Sequence, residues 1–308
     1  DFSTRRGQYE VVPTFSNAAL EGAAFVFIGG DFDHSGAFMR ATLGTKRKMF
    51  KNLYDPNTVG LFDFVNSILW KMPMAHQWDD WDGAANDADK TSLWGNAYTA
   101  FREYVPAYEL PATTPGTWQN FSYAHVDFFV LDNRSQRDPK GDLDDASKSM
   151  LDGNILGPSG QLEWLKQGLV SSVARWKIIF TSVVANPTAK GKDSWMGYQT
   201  EWQTLSSFIE ANQITGIILI SGDLHMGAID NGAASGFPEM CVPTADGVSP
   251  NVTKCATGPE GSWSEGKYNS PGPCRGYSVV RVLTDPDHRV VLEVKDKDGG
   301  IRVSYTVL

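Results

Sequence analysis

An apolar run that stops at a glycine, an acid and a histidine most constrains the fold of this chain. In residues 214–227, ITGIILISGDLHMG, the apolar residues at 217–220 follow one another without polar alternation. A continuous apolar run of this length is typical of a strand buried on both faces, as in α/β proteins. Because Asp223 and His225 follow directly, the sequence predicts polar side chains at the carboxyl end of a buried strand.

Other segments have the same character and alternate with helical patterns. Alternation of buried strands with amphipathic helices from about residue 125 to 225 predicts an α/β architecture. The predicted strands are 23–36, 126–138 and 174–187, and the predicted helices are 159–173 and 200–213, with Ser159 and Thr200 as N-caps.

The C-terminal tail follows a different pattern. The stretches GYSVVRVL, RVVLEVKDKDGG and IRVSYTVL alternate with a period of two, which predicts a closing antiparallel meander. Asp298-Gly299-Gly300 is a good hairpin turn between the last two stretches. We therefore predict two facing sheets in a single domain spanning residues 1–308, with a long irregular insertion at about 231–275.

Charge and composition exclude some classes of function. The chain has 308 residues, of which 41% are hydrophobic and 20% charged, as in a soluble globular protein. With 27 basic and 36 acidic residues the formal net charge is −9, so specific nucleic-acid binding is not expected. No apolar run approaches the length needed to cross a bilayer.

Several features agree with secretion without requiring it. The chain opens at Asp1 without a Met, so a processed or truncated product is expected. A secreted protein would be glycosylated at Asn-x-Ser/Thr sites, which occur at Asn120, Asn133 and Asn251. One disulfide is plausible and leaves a sulfur over, with the pairing open among Cys241, Cys255 and Cys274.

Two buried strands end in similar phrases, GGDFDH and SGDLHMG. In α/β sheets ligands bind beyond the carboxyl ends of the strands, because backbone turns and helix starts converge there. Asp31, Asp33 and His34 would enter that space from one strand, and Asp223 and His225 from another. Mixed sets of aspartate and histidine are typical of metals of intermediate hardness, so we predict a metal site.

A third acidic segment, residues 74–87 with the sequence MAHQWDDWDGAAND, contributes Asp79, Asp80, Asp82 and Asp87. Such a cluster repels itself unless cations or hydrogen bonds neutralise it, and a pair of bridged metal ions would do so. Taken singly, each signal has a simpler interpretation. A Gly-Asp at a strand end is usually a turn, and the acidic segment alone would fit a solvated loop or a calcium loop.

The order of these phrases resembles the block pattern of calcineurin-like metallophosphatases, and more closely its alkaline phosphatase D (PhoD-like) branch. The phrases that carry the resemblance are AFVFIGGD, MAHQWDDWD, FREYVPAYELP, FSYAHVDFFVLDNRSQRD, GQLEWLKQGL, ARWKIIFTSVV, DSWMGYQTEWQTLSSFI and GIILISGDLHMGAID, between residues 20 and 230. The resemblance implies a four-layer αββα sandwich with two central mixed sheets and a dinuclear metal site at their edge.

The resemblance also implies roles for particular residues. Asp31 would be the bridging carboxylate, Asp80 the ligand of the third block, and Asp223 and His225 the ligands of the last block. His34 falls where the purple-type branches place a metal-binding Tyr. Two metal ions are expected, drawn from iron, calcium, zinc and manganese.

The sequence departs from the family pattern in three places. The first block is missing, so its ligand lies upstream of Asp1 or is lost. In the third block Trp81 occupies the usual histidine position, and a tryptophan cannot donate a proton to a leaving oxygen. The fourth block offers Ser182 and Asn186 rather than a clear histidine.

The expected chemistry is hydrolysis of a phosphate monoester or diester in a small-molecule, lipid or nucleotide substrate. Arg134 and Arg137 are candidates to orient the site or steady an acid, with a structural pair to Asp132 or Asp138 as the alternative. His76 reads as structural in itself, but with the block histidine missing, His76 or a water would have to protonate the leaving group.

Two other functions compete with hydrolysis of phosphoesters. Trp81 and the missing first block favour a secreted, non-catalytic binding protein that keeps the fold. Acid pairs beside tryptophan, as in WDDWDG, would also fit a glycoside hydrolase, in which two carboxylates flank the scissile bond.

Overall fold

The computed structural model describes residues 13–32, 42–55, 64–111, 115–153, 160–245, 261–268, 275–284 and 287–308. The helices are α1 Thr14–Ala19, α2 Leu43–Leu53, α3 Asp80–Gly83, α4 Gly95–Tyr104, α5 Gln161–Ser171 and α6 Gln199–Ala211, with a π-helix at Val65–Leu69 and a 3₁₀ helix at Trp195–Tyr198. The strands are β1 Val26–Ile28, β2 Met74–His76, β3 Gln119–Tyr123, β4 Val126–Val130, β5 Trp176–Phe180, β6 Ile217–Ser221, β7 Gly227–Asn231, β8 Pro238–Cys241, β9 Gly266–Tyr268, β10 Gly276–Leu283, β11 Arg289–Asp296 and β12 Ile301–Val307.

The largest sheet has seven strands in the order β3-β4-β5-β6-β8-β7-β9. Strands β4, β5, β6 and β8 are parallel neighbours, and β3, β7 and β9 join the sheet by antiparallel pairing. Every residue of β5 and β6 is buried. The unbroken apolar runs were therefore correct predictors of strands covered on both faces.

A second layer of strands faces one side of this sheet. It consists of the parallel pair β1–β2 and the antiparallel meander β10–β11–β12. The apolar side chains between the layers form one core, to which the large sheet contributes Phe128, Phe180 and Ile220, and the second layer Val290, Leu292 and Val294. The predicted closing meander and its hairpin at 298–300 are confirmed.

Helices cover both outer faces, which completes four layers. On one side α5 and α6 pack against the large sheet through Leu165, Leu169, Leu205 and Ile209. On the other side α2 and α4 pack over the β1–β2 pair through Met49, Phe50 and Phe101. The predicted four-layer α/β sandwich is thus confirmed. The second layer differs from the expectation in one respect, since its strands form two separate sheets among the described residues.

Two local predictions need correction. Thr200 is not the N-cap of α6, because the helix begins at Gln199 and the carboxylate of Asp144 accepts the N–H groups of both residues, at 2.8 and 3.2 Å. The insertion at 231–275 is not wholly irregular, since β8 and β9 lie within it and join the large sheet. Ser159 lies outside the described residues.

The described residues include one of the three cysteines, and their helices can be compared with the length needed to cross a bilayer. Cys241 is a buried free thiol at the end of β8. Cys255 and Cys274 lie outside the described residues, so the predicted disulfide is not located. None of the helices described is both long and apolar enough to span a bilayer.

Candidate metal centre

The carboxyl ends of β1 and β2 bring Asp31 next to Asp79. The two strands are parallel with Ile28 opposite His76, so the residues that follow leave the sheet at the same edge. Gly30 has a φ of +96°, and a Cβ at this position would lie 2.5 Å from the backbone nitrogen of Asp79. Only a glycine permits this approach, which explains the glycine before the acid.

The buried carboxylate of Asp82 holds the two strand ends together. Its Oδ2 accepts the backbone N–H groups of Asp31 at 2.7 Å and Asp79 at 2.9 Å, and its Oδ1 accepts that of Phe32 at 2.7 Å. Lys46 Nζ donates to the Asp82 carbonyl at 2.6 Å. Burial raises the pKa of Asp82 to about 6, although the three N–H groups oppose this shift.

Three of the predicted ligand positions have left-handed backbone conformations. The φ angles are 57° at Asp31, 66° at Asp223 and 56° at His225. Each such conformation in a non-glycine residue costs on the order of 1–3 kcal/mol and persists only where the surroundings enforce it. Strain of this kind gathers at functional sites, and here it aims two carboxylates and an imidazole beyond the strand ends.

Arg134, which follows β4, joins the two sides of the site. Its fully buried guanidinium forms a bidentate ion pair with Asp79, in which Nη2 lies 3.1 Å from Oδ2. The same Nη2 lies 2.9 Å from Asp223 Oδ2 and 3.6 Å from Asp80 Oδ2, and Nη1 lies 3.1 Å from Asp193 Oδ1. The acids that follow β2 and β6 therefore surround one guanidinium, as the sheet topology predicts.

Two further cations, Lys190 and Arg137, form ion pairs with the acids of the site. Lys190 Nζ lies 2.9 Å from Asp193 Oδ2 and contacts the carboxylate of Asp223. Arg137 Nη2 lies 2.6 Å from Asp193 Oδ1. Although burial opposes it, the positive charges hold the pKa of Asp193 far below its ordinary value. The side chain of Lys190 is 25% exposed, so its ammonium group lies where the cluster meets solvent.

Among the described residues, the acids of the cluster outnumber its cations. Burial raises the pKa of Asp31 and Asp80 well above the ordinary value, and the neighbouring acid Asp79 raises both further. Burial raises the pKa of Asp223 as well, against the lowering effect of Arg134. In the part of the chain that the structure describes, the six carboxylates of Asp31, Asp79, Asp80, Asp82, Asp193 and Asp223 meet four cations, Arg134, Arg137, Lys190 and Lys46.

The geometry of the acids fits a metal ion. Oxygen atoms of Asp31, Asp79 and Asp80 lie within 4.8 Å of one another, and all three residues are buried. Oδ2 of Asp80 accepts the Asp87 N–H at 2.7 Å, whereas its Oδ1 is buried without a hydrogen-bond partner among the described residues. An unpartnered buried carboxylate oxygen in a surplus of negative charge is a ready ligand for a hard or intermediate cation.

Comparison with known families shows to which family the chain belongs. Residues 61–253 match the family of PhoD-like phosphatases. The chain belongs to the PhoD-like phosphatase family. Over 181 residues it is 26% identical to alkaline phosphatase D of Bacillus subtilis (strain 168), an alignment that covers 50% of this chain and 31% of that protein. The match thus spans about a third of the curated relative's length.

Solved structures show the same fold as this PhoD-like chain. A structure of PhoD superimposes with a TM-score of 0.70 at 16% identity, covering 99% of this chain and 68% of that chain. The purple acid phosphatase PPD1 from yellow lupin (Lupinus luteus) seeds superimposes with a TM-score of 0.53 at 17% identity, covering 96% and 48% of the two chains.

Within the PhoD-like fold, the predicted metal ligands divide into three groups. Asp80 and Asp223 lie around Arg134, and Asp31 lies beside Asp80. His225 follows Asp223 by two residues, in the turn after β6. His34 lies outside the described residues.

Asp79 was not among the predicted metal ligands, and Lys190 and Asp193 were not predicted to belong to the site. Asp79 was part of the predicted acid cluster, and its place next to Asp80 in QWDDWD was the available signal. Lys190 and Asp193 lie in the segment AKGKDS, whose sequence carries no pattern that predicts them. Arg134 is not paired with Asp132, whose carboxylate instead accepts the N–H groups of Thr117 and Ser135.

The geometry gives no support to His76 as a proton donor. This residue ends β2, is fully buried, and packs against Phe32 with ring centroids 4.9 Å apart. Neither ring nitrogen has a hydrogen-bond partner among the described residues, and burial lowers the pKa to about 3. A neutral imidazole without a partner has no proton to deliver as an imidazolium at neutral pH.

Of the two fourth-block residues, Asn186 occupies a structural position. The carbonyl oxygen of the Asn186 side chain accepts the N–H of Thr188 at 3.0 Å, and its amide donates to the Ser262 carbonyl at 2.7 Å. Both ends of the Asn186 side chain are thereby used in a turn. The Ser182 hydroxyl is buried without a partner among the described residues, so it is the more available of the two.

Proposed function

We propose that this chain carries the active site of a metal-dependent phosphoester hydrolase. The observation that supports the proposal most is the buried group Asp31, Asp79 and Asp80, whose oxygens lie within 4.8 Å of one another in a family of phosphatases. Two metal ions would be held by Asp31, Asp80, Asp223 and His225. Bound metal would supply a nucleophilic hydroxide and polarise the phosphoryl oxygens.

The protein's own cations would position the acids and the substrate. The fork of Arg134 fixes Asp79 and Asp223 in place, so that their oxygens cannot turn away from the centre. Lys190, at the solvent side of the cluster, would attract the anionic phosphoryl group. With His76 buried and neutral, a water rather than a side chain would protonate the leaving oxygen.

The substrate would be a phosphate monoester or diester of a small molecule, lipid or nucleotide. Trp81 occupies a helix end over the site, where its backbone N–H donates to Asp31 Oδ1 at 3.3 Å. An indole has no proton to give to a leaving alcohol, so esters with good leaving groups are the expected substrates.

The proposed location is extracellular, and the predicted glycosylation sites Asn120 and Asn133 differ in exposure. Asn120 is exposed on β3 and can accept a glycan. Asn133 is fully buried, and its Oδ1 accepts the Ser182 N–H at 2.9 Å, so the folded protein cannot be modified there. Asn251 lies outside the described residues.

The hydrolase is tested by metal analysis combined with activity. Bound metal is measured by mass spectrometry, and hydrolysis of p-nitrophenyl phosphate and its bis ester is followed before and after chelation by EDTA. We expect activity to vanish with EDTA and return with added metal. Asp31→Asn should lower both the metal content and kcat, the latter by roughly 100-fold or more.

A matched control uses Asp142, an acid exposed to solvent in the loop after β4. Asp142→Asn makes the same chemical change outside the cluster and should leave the metal content and kcat unchanged. Full activity in metal-free protein would contradict the proposal.

A non-catalytic binding protein is the second candidate, and one observation favours it. Arg134 and Lys190 already neutralise Asp79 and Asp223, so the site has internal counterions. In that case metal analysis would find no bound ion, and Asp31→Asn would leave every measured rate at the background value.

A further inference from the structure

Lys190 is the cation of the described metal centre that a substrate can reach. The guanidinium groups of Arg134 and Arg137 are fully buried, and Lys46 is buried as well. The side chain of Lys190, in contrast, is 25% exposed. A phosphoryl group that arrives from solvent therefore meets Lys190 before any other described cation of the cluster.

Asp193 fixes the position of this ammonium group. Its Oδ1 lies 3.1 Å from Arg134 Nη1 and 2.6 Å from Arg137 Nη2. The carboxylate cannot rotate without breaking these two charge-assisted contacts, which are stronger than contacts between neutral groups. Its Oδ2 lies 2.9 Å from Lys190 Nζ. Two buried guanidinium groups thus orient the acid that holds the ammonium group at the solvent side.

The segment 185–194, which carries both residues, is itself held in place. The buried carboxylate of Glu239 accepts the first two N–H groups of the segment, at 2.9 and 2.8 Å. At the other end, the Ser194 hydroxyl donates to the carbonyls of Lys190 at 3.2 Å and Gly191 at 2.9 Å. A charged group on backbone that is already ordered loses little further freedom when it binds a ligand.

Lys190 has a donor left for a substrate oxygen. An ammonium group has three N–H donors and is charged at neutral pH. Two acids of the described chain, Asp193 and Asp223, contact it and take up two of these donors. In the proposed hydrolase Asp223 also binds a metal ion, which takes up part of its negative charge. The third donor is then available to a phosphoryl oxygen.

An ammonium group at this place distinguishes substrates by their charge. A phosphate monoester carries close to two negative charges at neutral pH, because its second pKa is about 6, whereas a diester carries one. The attraction to a fixed positive charge rises with the charge of the ligand. In a diester a second ester group replaces one of the charged oxygens, and an ammonium group that faced it would lose water without gaining a partner.

We propose that Lys190 binds a non-bridging phosphoryl oxygen and thereby selects monoesters over diesters, and that Asp193 is its positioning residue. The inference rests on the proposed hydrolase and deepens it, since it chooses between the two substrate classes. Lys190 touches the substrate, whereas Asp193 acts through Lys190.

The test uses the metal-loaded protein with p-nitrophenyl phosphate as the monoester and its bis ester as the diester. Lys190→Met removes the charge and keeps most of the length of the side chain. We expect kcat/KM for the monoester to fall at least about tenfold, mainly through KM, and kcat/KM for the diester to change less than about threefold. Isothermal titration with inorganic phosphate, which needs no turnover, should show binding at least about tenfold weaker.

Two matched variants control for charge and for place. Lys190→Arg keeps the charge, so the preference for the monoester should stay within about threefold of that of the unmodified protein. Lys192→Met removes a charge from an exposed residue of the same segment and should leave both kcat/KM values and the phosphate affinity unchanged. If Lys192→Met lost as much monoester preference as Lys190→Met, a general surface attraction would explain the effect and the assignment would be overturned.

The positioning role is tested with Asp193→Asn. This change should lower the monoester preference by about three- to tenfold, and adding Lys190→Met to it should cause less than about twofold further loss, because the two residues act as a unit. Independent, additive losses would overturn the positioning role. If Asp193→Asn does not fold, Asp193→Glu replaces it, since it keeps the charge for the guanidinium groups and displaces the carboxylate by one methylene group.

Failure of this inference can be told apart from failure of the hydrolase. Metal content, measured by mass spectrometry at saturating metal, should be the same in Lys190→Met and in the unmodified protein. Equal losses for monoester and diester in Lys190→Met would overturn the role of Lys190 alone. Activity of the unmodified protein that survives EDTA would contradict the hydrolase and with it the inference.

Discussion

Acids reach the site from two regions, the centre of the seven-stranded sheet and the β1–β2 pair. These regions differ in how fully their strands are paired and buried. In the large sheet, β5 and β6 are paired on both sides and buried at every residue. In the second layer, β1 is paired on one side among the described residues, and only its last residue is buried. Asp223 follows the complete strand, and Asp31 follows the incomplete one.

The site is anchored on one side by the large sheet and is held on the other side by side-chain contacts. Arg134 extends from the end of β4 and reaches the acids on both sides. On the weaker side, Asp82 substitutes for missing strand pairing by binding three backbone N–H groups. Interactions within the large sheet should therefore carry more of the unfolding free energy than those near β1 and β10.

The largest loss of stability is expected when Arg134, which links the large sheet to the β1–β2 side of the site, is replaced. Arg134→Met removes a fully buried guanidinium and leaves Asp79 and Asp223 close together without their partner. We expect the free energy of unfolding of the metal-free protein to fall by about 3–5 kcal/mol, measured by urea denaturation. Added metal should restore part of the loss, and a change below about 1 kcal/mol would mean that the sides are held together in another way.

The next largest losses of stability are expected when apolar side chains are shortened, one in the large sheet and one in the second layer. Ile218→Ala, in the fully buried β6, should destabilise the protein by about 2–5 kcal/mol, because a cavity remains. Val280→Ala, in the half-buried β10, should cost less than about 1 kcal/mol in the 308-residue chain. Urea unfolding of both variants measures the difference. Equal losses would show that the second layer is as well packed as the first.

A buried acid in the large sheet should also make the stability of the protein depend on pH. The pKa of Glu239 is raised to about 7 by burial, so the folded state binds a proton more tightly than the unfolded state. The resulting stability is fully present below the unfolded pKa and is lost as the pH rises through about 7. Glu239→Gln should reduce this pH dependence by roughly 1–3 kcal/mol between pH 4.5 and 7, measured by denaturation at several pH values. An unchanged slope would contradict the assignment.

The smallest effect is expected for an ion pair outside both regions. Arg47 and Glu103 form a bidentate pair between α2 and α4, and both side chains are exposed to solvent. Arg47→Met should leave the urea midpoint unchanged within error, because solvent screens the pair and its side chains lose entropy when ordered. This variant is the control for Arg134→Met, and a comparable loss would show that the two effects have the same origin.

The fold was largely predictable because its signals are local. The apolar runs at β5 and β6, the helical spacing of α5 and α6 and the period-two tail each reflect the burial pattern of a single element. The second layer was harder, because β1 is only three residues of the predicted strand 23–36 and β2, also three residues long, leaves too short a pattern. The separation of β1–β2 from the meander is a property of pairing between distant strands, which no local pattern carries.

The candidate site was predictable only where a residue follows a strand. Asp31 and Asp223 could be placed because parallel strands deliver their next residues to one edge. His76 was a candidate donor only because a sequence shows a titratable group and not its surroundings. The packing of Phe32 against it, and the absence of polar partners among the described residues, make it a buried neutral side chain.

Periodicity and turn residues act over a few positions, so the order of residues predicted that buried strands alternate with helices and that acids and an imidazole follow two of those strands. Which charges neutralise one another is known only from the folded arrangement. Arg134 pairs with four acids because its guanidinium lies among segments more than fifty residues away in the sequence. The carboxylate of Asp82 binds backbone because three N–H groups converge on it. Such selection depends on distances in space, which the order of residues does not contain.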